Sequence, residues 1–250
     1  MNELNYKYIQ SNHSKSTIII FLHEGLGCVE MWGAYPELVC SELKCNGLVY
    51  DRAGYGKSDG DLNDRKSNYL HLAADELFDL IQYLKLQSQN IILYGHSDGG
   101  SIGLIFASKY PQLCMAVITE AAHVFVEDVT LKGIKPAVKA YENGKLNGLK
   151  KYHGNKFNDV FYAWVNIWNH SSFRGWNIEN EIKSIVCPQL IIQGIDDQYG
   201  TLSQVVSIAN HTKGNTTTFT PKECGHSPFK EKTKEVLKEV IDFLEKMNRF

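Results

Sequence analysis

The pentapeptide Gly95-His96-Ser97-Asp98-Gly99 has the residue types and the spacing of a nucleophilic serine in a sharp turn. It follows the apolar run Asn90 to Tyr94 and opens a run of helical character, Ser97 to Tyr110. A serine between a strand and a helix is exposed at the end of a sheet, where the first helical amides favour negative charge. The flanking glycines leave room for the turn. The pattern predicts nucleophilic catalysis by Ser97.

A nucleophilic serine needs a base that accepts its proton and an acid that orients the base. His226 follows the predicted strand Thr216 to Thr220, and Asp196 and Asp197 follow the predicted strand Gln189 to Gln193. Parallel strands deliver the loops at their carboxyl ends to one edge of the sheet. We therefore expect serine, acid and histidine to meet there, in that chain order.

Apolar runs of strand length alternate with amphipathic helical patterns along most of the chain. This alternation predicts an α/β fold with a mostly parallel, doubly wound sheet. The remaining predicted strands are Tyr6–Gln10, Thr17–Leu22, Gly47–Tyr50 and Met115–Thr119, and the other predicted helices are Trp32–Lys44, Ser67–Leu86 and Lys232–Met247.

One segment, 121–185, interrupts the alternation because it contains helical patterns and no clear strand. It is also rich in aromatic side chains, and three of the four tryptophans of the chain lie in it. We predict that 1–120 and 186–250 form the core and that 121–185 is a helical cap inserted above the sheet. The concentrated aromatic residues are Tyr152, Phe157, Phe161, Tyr162, Trp164, Trp168, Phe173 and Trp176.

Four segments in this order resemble the α/β-hydrolase superfamily, in particular its small serine esterase and carbon–carbon hydrolase branch. They are the loop His23 to Gly27, the segment Asp51 to Ser58, the serine pentapeptide, and the Asp/His pair. Together they cover nearly the whole chain from about residue 17 to 230. Glu24 departs from the common family pattern, in which glycine follows the histidine.

The resemblance implies roles for further residues. The family's aspartate sits three residues after the glycine that ends its strand, which selects Asp197 over Asp196. Some members carry the acid one strand earlier, so Glu120 stays an alternative. The family pattern also implies an oxyanion hole made by two backbone N–H groups, those of Gly25 and Asp98.

Several other side chains have two interpretations. Glu24 either forms a salt bridge, with Arg52 as partner, or lines the mouth of the site and selects substrates by charge; we favour the salt bridge. The cap aromatics either fill the core of the cap or also form the roof of a pocket. The candidates for substrate contact are Glu24, His123, Tyr162, Trp164, Trp168, Arg174 and Trp176.

The composition excludes several other classes of protein. The chain has 250 residues and a net charge of −2, so it lacks the excess of positive charge that is typical of proteins that bind nucleic acid. No apolar run approaches the roughly 20 residues that span a bilayer. Gly54 and Gly56 do not continue into a dinucleotide-binding motif, because Ser58 stands where a third glycine would be required.

Six scattered cysteines form no C-x-x-C pair and no Cys/His pattern with zinc spacing, so we expect reduced core cysteines and no metal. The stretch Met1 to Lys15 is polar and lacks the apolar core of a signal peptide, which favours a cytoplasmic location. The sequence does not determine the oligomeric state.

The combined interpretation is a cofactor-free serine hydrolase of a small-molecule substrate, a carboxylic ester with an apolar or aromatic acyl group. Two alternatives remain. The same residues also serve hydrolysis of a carbon–carbon bond in a ring-cleavage product, and a non-catalytic ligand-binding homologue would keep the same fold.

Overall fold

The structure, a computed structural model, describes residues 3–12, 16–62 and 65–247. Part of the polar stretch Met1 to Lys15, on which the expected location depends, lies outside these ranges. Within them, seven strands form a single sheet. In chain order the strands are β1 (Tyr6–Ile9), β2 (Thr17–Leu22), β3 (Asn46–Tyr50), β4 (Asn90–His96), β5 (Cys114–Glu120), β6 (Gln189–Ile192) and β7 (Thr216–Phe219).

The spatial order of the strands is β1-β3-β2-β4-β5-β6-β7. All neighbours pair in parallel except β1, an edge strand that runs antiparallel to β3. Every residue of β2 is buried, as expected of a strand whose two faces are both covered. The predicted mostly parallel sheet is confirmed.

Helices cover both faces of this sheet. Successive side chains of a strand point to opposite faces. Leu93 packs in one core with the helices Tyr69–Tyr83 and Asp98–Lys109, while Tyr94 packs in the other core with the helices Tyr35–Leu43 and Thr233–Glu245. The doubly wound α/β fold class is therefore confirmed. The nine α-helices of the described ranges are α1 (Tyr35–Leu43), α2 (Tyr69–Tyr83), α3 (Asp98–Lys109), α4 (Asp128–Glu142), α5 (Leu149–His153), α6 (Phe157–Asn169), α7 (Leu202–His211), α8 (Pro228–Glu231) and α9 (Thr233–Glu245).

The first helix is shorter than the sequence predicts. Val29–Trp32 forms a separate 3₁₀ turn, and α1 starts only at Tyr35. Pro36 lies in the first turn of α1, where its missing N–H costs no helical hydrogen bond. No helix of the residues that the structure describes is long and apolar enough to cross a membrane.

The segment between β5 and β6 is helical, as predicted. It contains α4, α5 and α6, and its only β pairing is one isolated bridge between Phe125 and Asn177. Within this segment the ring of Tyr141 in α4 stacks on that of the buried Phe161 in α6, with centroids 3.8 Å apart. The assignment of 121–185 as a separate cap remains a prediction.

Candidate active site

Ser97 occupies a strained turn between β4 and α3. Its backbone angles, φ of 54° and ψ of −117°, lie in a region that residues other than glycine rarely adopt. A Cβ atom on Gly95 would lie 2.2 Å from the carbonyl oxygen of Gly99, so the turn requires glycine there. The N–H of Ser97 donates to the carbonyl oxygen of Glu120 (2.8 Å), which fixes the turn to the end of β5.

The predicted serine, histidine and aspartate lie in hydrogen-bonding contact. His226 Nε2 is 2.9 Å from Ser97 Oγ, and His226 Nδ1 is 2.8 Å from Asp197 Oδ2. The three residues follow β4, β6 and β7, whose carboxyl ends share one edge of the sheet. The imidazole therefore has one nitrogen on the serine hydroxyl and the other on a carboxylate.

Asp197 is a buried carboxylate with several donors around it. The N–H of Tyr199 donates to Oδ1 (2.8 Å), and Gln193 Nε2 donates to Oδ2 (2.5 Å). Burial raises the pKa of Asp197, but the charge and hydrogen bond of His226 and the hydrogen bond from the Tyr199 N–H outweigh burial, so the pKa lies below its usual value. The group is thus an anion that orients the imidazole.

The environment of His226 favours its protonated form. Burial lowers the pKa of this imidazole, but the charge and hydrogen bond of Asp197, followed by the charges of Glu24 and Asp98, raise it above the ordinary value. An imidazole that is stabilised when charged is suited to accept a proton from a serine hydroxyl.

Asp196 and Glu120, the two alternative candidates for the orienting acid, lie in environments that differ from that of Asp197. Asp196 is exposed to solvent. Glu120 is fully buried, and its carboxylate accepts hydrogen bonds from Tyr94 OH and from the N–H of Phe229 (2.8 Å). Burial raises the pKa of Glu120 to about 7. Neither acid contacts the ring of His226 by a hydrogen bond among the described residues.

Gly25 and Asp98, whose amides are the proposed oxyanion donors, lie side by side. A Cβ atom on Gly25 would be 3.4 Å from Asp98 Oδ2. Asp98 is the first residue of α3, where an amide has no acceptor within the helix. Its buried carboxylate accepts a hydrogen bond from Tyr69 OH (3.0 Å) and lies 3.6 Å from Arg52 Nη1.

The expected side-chain salt bridge between Glu24 and Arg52 is wrong. Arg52 pairs with Asp98 and donates only to the backbone carbonyl oxygen of Glu24 (2.8 Å). The Glu24 carboxylate forms no ion pair with any residue that the structure describes, and its charge adds to that of Asp197 in raising the pKa of His226. Burial lowers the pKa of the neighbouring His96 to about 4, against an opposing contribution from Glu24. These observations favour the second interpretation of Glu24, in which its carboxylate lies at the mouth of the site.

A family model described as alpha/beta hydrolase fold matches residues 17–170, which is more than half of the chain. This chain belongs to the α/β-hydrolase family. The resemblance to that family found in the sequence is confirmed.

Individual relatives of this α/β-hydrolase have several activities. It is 32% identical over 125 residues to a proline iminopeptidase of Chitinophaga pinensis, a match that covers 46% of the chain and 41% of the relative. It is 27% identical over 173 residues to the human serine hydrolase BPHL, covering 67% and 59%. The matches thus span about half the length of these curated relatives.

Solved structures resemble the α/β-hydrolase along almost its full length. The enol-lactonase of Burkholderia xenovorans LB400 aligns with a TM-score of 0.75 at 17% identity, covering 98% of this chain and 97% of that one. MGS-M2, from a deep-sea metagenome library, aligns with a TM-score of 0.78 at 18% identity, covering 98% and 94%. At such identities the likeness shows the fold alone.

Trp164 of α6, in the segment 121–185, contacts the proposed oxyanion loop. Its Cδ1 would be 2.7 Å from a Cβ on Gly25, and its ring contacts Tyr199 edge-on at 5.9 Å. His123 lies nearby, 6.2 Å between ring centroids from His226, and Trp168 packs against His123. His123 is thus adjacent to His226, and Trp164 is adjacent to the loop that contains Gly25.

The other cap candidates lie elsewhere. Tyr162 is 42% exposed and packs on Tyr141. Arg174 is exposed and forms an ion pair with Asp128, so the structure does not bring it to the serine. Trp176 stacks on Phe173 in the hydrophobic core.

Sequence reasoning missed two residues beside this site. The ring of Tyr199 packs edge-on against His226, at 4.8 Å between centroids. His153 of α5 accepts a hydrogen bond from the N–H of Gly56 (2.9 Å) and contacts the carbonyl oxygen of Leu26 (2.9 Å). Tyr199 could have been found from its position two residues after Asp197, whereas nothing local marks His153.

Proposed function

We propose that this α/β-hydrolase is a cofactor-free serine hydrolase that cleaves small carboxylic esters through an acyl-enzyme. One observation carries the proposal: a strained serine whose Oγ is 2.9 Å from an imidazole that a buried aspartate holds by its other nitrogen. Acyl transfer by a serine requires a nucleophile that is hydrogen-bonded to a base, and a base that is hydrogen-bonded to an orienting acid.

In the first step Ser97 Oγ attacks the ester carbonyl carbon and its proton passes to His226 Nε2. The charged imidazole is stabilised by Asp197, whose low pKa keeps it ionised. The protonated ring then donates its proton to the departing alkoxide. The second step repeats this exchange with water as nucleophile, and it releases the acid and restores Ser97.

The negative charge that develops on the carbonyl oxygen must be stabilised by hydrogen-bond donors. The N–H groups of Gly25 and Asp98 are the proposed pair, and the second of them also lies at the amino-terminal end of α3, where the helix dipole favours an anion. A donor of this kind contributes about 3 kcal/mol to the transition state. The rigid turn, with Gly95 and Gly99 in backbone contact, keeps the Asp98 amide in position.

The acyl group of the substrate is proposed to lie under the segment 121–185, which we infer to act as a cap. The side chains of Trp164 and Tyr199, next to Gly25 and His226 respectively, provide apolar and aromatic surface. Apolar walls with a few polar groups are typical of small-molecule pockets. We therefore propose an apolar or aromatic acyl group.

Glu24 favours ester hydrolysis over hydrolysis of a carbon–carbon bond in a ring-cleavage product. Such dienoate products carry a carboxylate, and the Glu24 carboxylate, which forms no ion pair among the described residues, adds to the charge of Asp197 in raising the pKa of His226. Like charges at close range repel, most strongly where water is partly excluded. The intact hydrogen-bonded chain from Ser97 to Asp197 likewise argues against a protein that only binds its ligand.

A fluorophosphonate probe tests the mechanism directly. We expect a single adduct, located on Ser97 by peptide mass spectrometry, and none on the Ser97→Ala variant. Turnover of acetyl, butyryl and benzoyl p-nitrophenyl esters, measured beside a dienoate ring-cleavage product, then tests the substrate class. No labelling of Ser97 would refute the mechanism, and faster turnover of the dienoate would refute the ester assignment.

A further inference from the structure

Cys114 and Cys187 lie against each other at the amino-terminal edge of the sheet, opposite the edge that carries Ser97. Their Sγ atoms are 4.0 Å apart. Cys114 is the first residue of β5, and Cys187 lies two residues before β6, the neighbouring strand. The N–H of Val117 donates to the carbonyl oxygen of Pro188 (3.1 Å), so the two backbones run side by side here.

Solvent reaches this pair through a cleft of about 580 Å³, which both cysteines line. Cys187 is 9% exposed and Cys114 is 6% exposed, and the neighbouring Val186 is largely exposed. Cys40 and Cys45 also interact with each other, but they are 2% and 0% exposed. The chain therefore contains one thiol pair at a cleft and one pair enclosed in the core.

The two thiols of the cleft differ in acidity. The contact with Cys187, followed by burial, holds the pKa of Cys114 well above its usual value. The hydrogen bond with Cys114 lowers the pKa of Cys187, although burial opposes this. Cys187 is also the more exposed of the two thiols that line the cleft, so a hydroperoxide in the cleft reaches its sulfur first; Cys187 is the attacking sulfur and Cys114 the resolving one.

We propose that Cys187 and Cys114 form a redox-active dithiol that hydroperoxides convert to a disulfide. The Cys187 thiolate attacks the terminal oxygen of the hydroperoxide, whose O–O bond breaks and releases an alkoxide or hydroxide. Cys187 is thereby oxidised to a sulfenic acid. The Cys114 sulfur then attacks Cys187 Sγ, and the sulfenic hydroxyl leaves as water with the Cys114 proton.

The disulfide would join the first residue of β5 to the chain just before β6, at the edge of the sheet opposite Ser97. Residues 114–187 enclose β5, α4, α5 and α6, so the bond would close a long loop. Closure of a long loop removes conformations from the unfolded chain. The oxidised protein should therefore unfold at a temperature several degrees above that of the reduced protein.

Intact-mass spectrometry after treatment with hydrogen peroxide tests the proposal. We expect the wild-type protein to lose two hydrogen masses, digestion to yield a Cys114–Cys187 linked peptide, and dithiothreitol to reverse the change. Cys114→Ser should instead leave Cys187 as a sulfenic acid that dimedone traps. Cys224→Ser serves as a control and should form the disulfide as the wild type does.

Three results would overturn the proposal: no loss of mass, a disulfide that maps to Cys40 and Cys45, or direct conversion of Cys187 to the sulfonic acid. The measurement on the wild-type protein does not require any variant to fold, so it tests the proposal by itself. Fluorophosphonate labelling of Ser97 is measured separately, and the hydrolase mechanism and the dithiol can therefore fail independently.

Discussion

Gly25 and Trp164 are in direct contact: a Cβ atom added to Gly25 would lie only 2.7 Å from Cδ1 of the indole. The glycine belongs to the loop proposed to bind the oxyanion, and the tryptophan belongs to α6 of the segment 121–185. The position of the loop amide thus depends on how the helical segment is seated above it.

Gly25→Ala should lower kcat for an activated ester by about a hundredfold, because the indole displaces the loop and weakens one oxyanion donor. The measurement is steady-state kinetics with p-nitrophenyl acetate. Trp164→Ala should restore part of the loss when combined with Gly25→Ala. Gly148→Ala is the matched control, since no atom lies within 4 Å of a Cβ there. Wild-type kcat in Gly25→Ala would contradict this account.

Asp197→Asn should reduce kcat about ten-thousandfold, as expected when an acid that orients a catalytic imidazole loses its charge. Glu120→Gln should change kcat less than about tenfold, because an amide can replace the carboxyl group between Tyr94 OH and the Phe229 N–H. Both variants are compared on one activated ester. A collapse of kcat in Glu120→Gln alone would assign the acid to Glu120 instead.

Glu24→Gln should shift the acidic limb of the pH–rate profile to lower pH. The reaction requires neutral His226, so the rate rises with pH through the pKa of His226, which the charge of Glu24 helps to raise. Without that charge the pKa falls, and the variant is faster than wild type below the midpoint. Profiles of kcat/KM test this, with exposed Glu42→Gln as the control. If the acidic limb of the profile does not shift, the charge of Glu24 does not act on His226, and Glu24 does not line the mouth of the site.

Glu120 should make the free energy of unfolding depend on pH. Burial raises the pKa of Glu120 to about 7 in the folded protein, above the 4.5 of an ordinary glutamate. The stability that proton binding contributes is therefore complete below about pH 4.5 and lost by about pH 7. A shift of this size corresponds to about 3 kcal/mol.

Glu120→Gln removes this proton-binding site, so the variant should gain stability relative to wild type as the pH rises from 4.5 to 7.5. Urea unfolding of both proteins across this range measures the difference. A difference that does not change with pH would show that the pKa of Glu120 is not raised in the folded protein.

The sequence by itself determined most of the helices and strands and the chain order of Ser97, Asp197 and His226. The apolar strands, the helical periodicity and the glycines around Ser97 are local features, since they depend on residues within one element or turn. For this reason the sheet, the helical segment 121–185 and the strained serine were predictable. The loops after β6 and β7 were also predictable, because parallel strands bring their carboxyl ends to one edge.

Only the tertiary structure decided which side chains meet across elements. Arg52 pairs with Asp98 and not with Glu24, Arg174 binds Asp128 at the surface, and Trp164 rests on Gly25. The contact between Cys114 and Cys187 likewise arises where two neighbouring strands begin. Such contacts depend on strand register and on how α6 packs against the loops, and these follow from the packing of the whole chain.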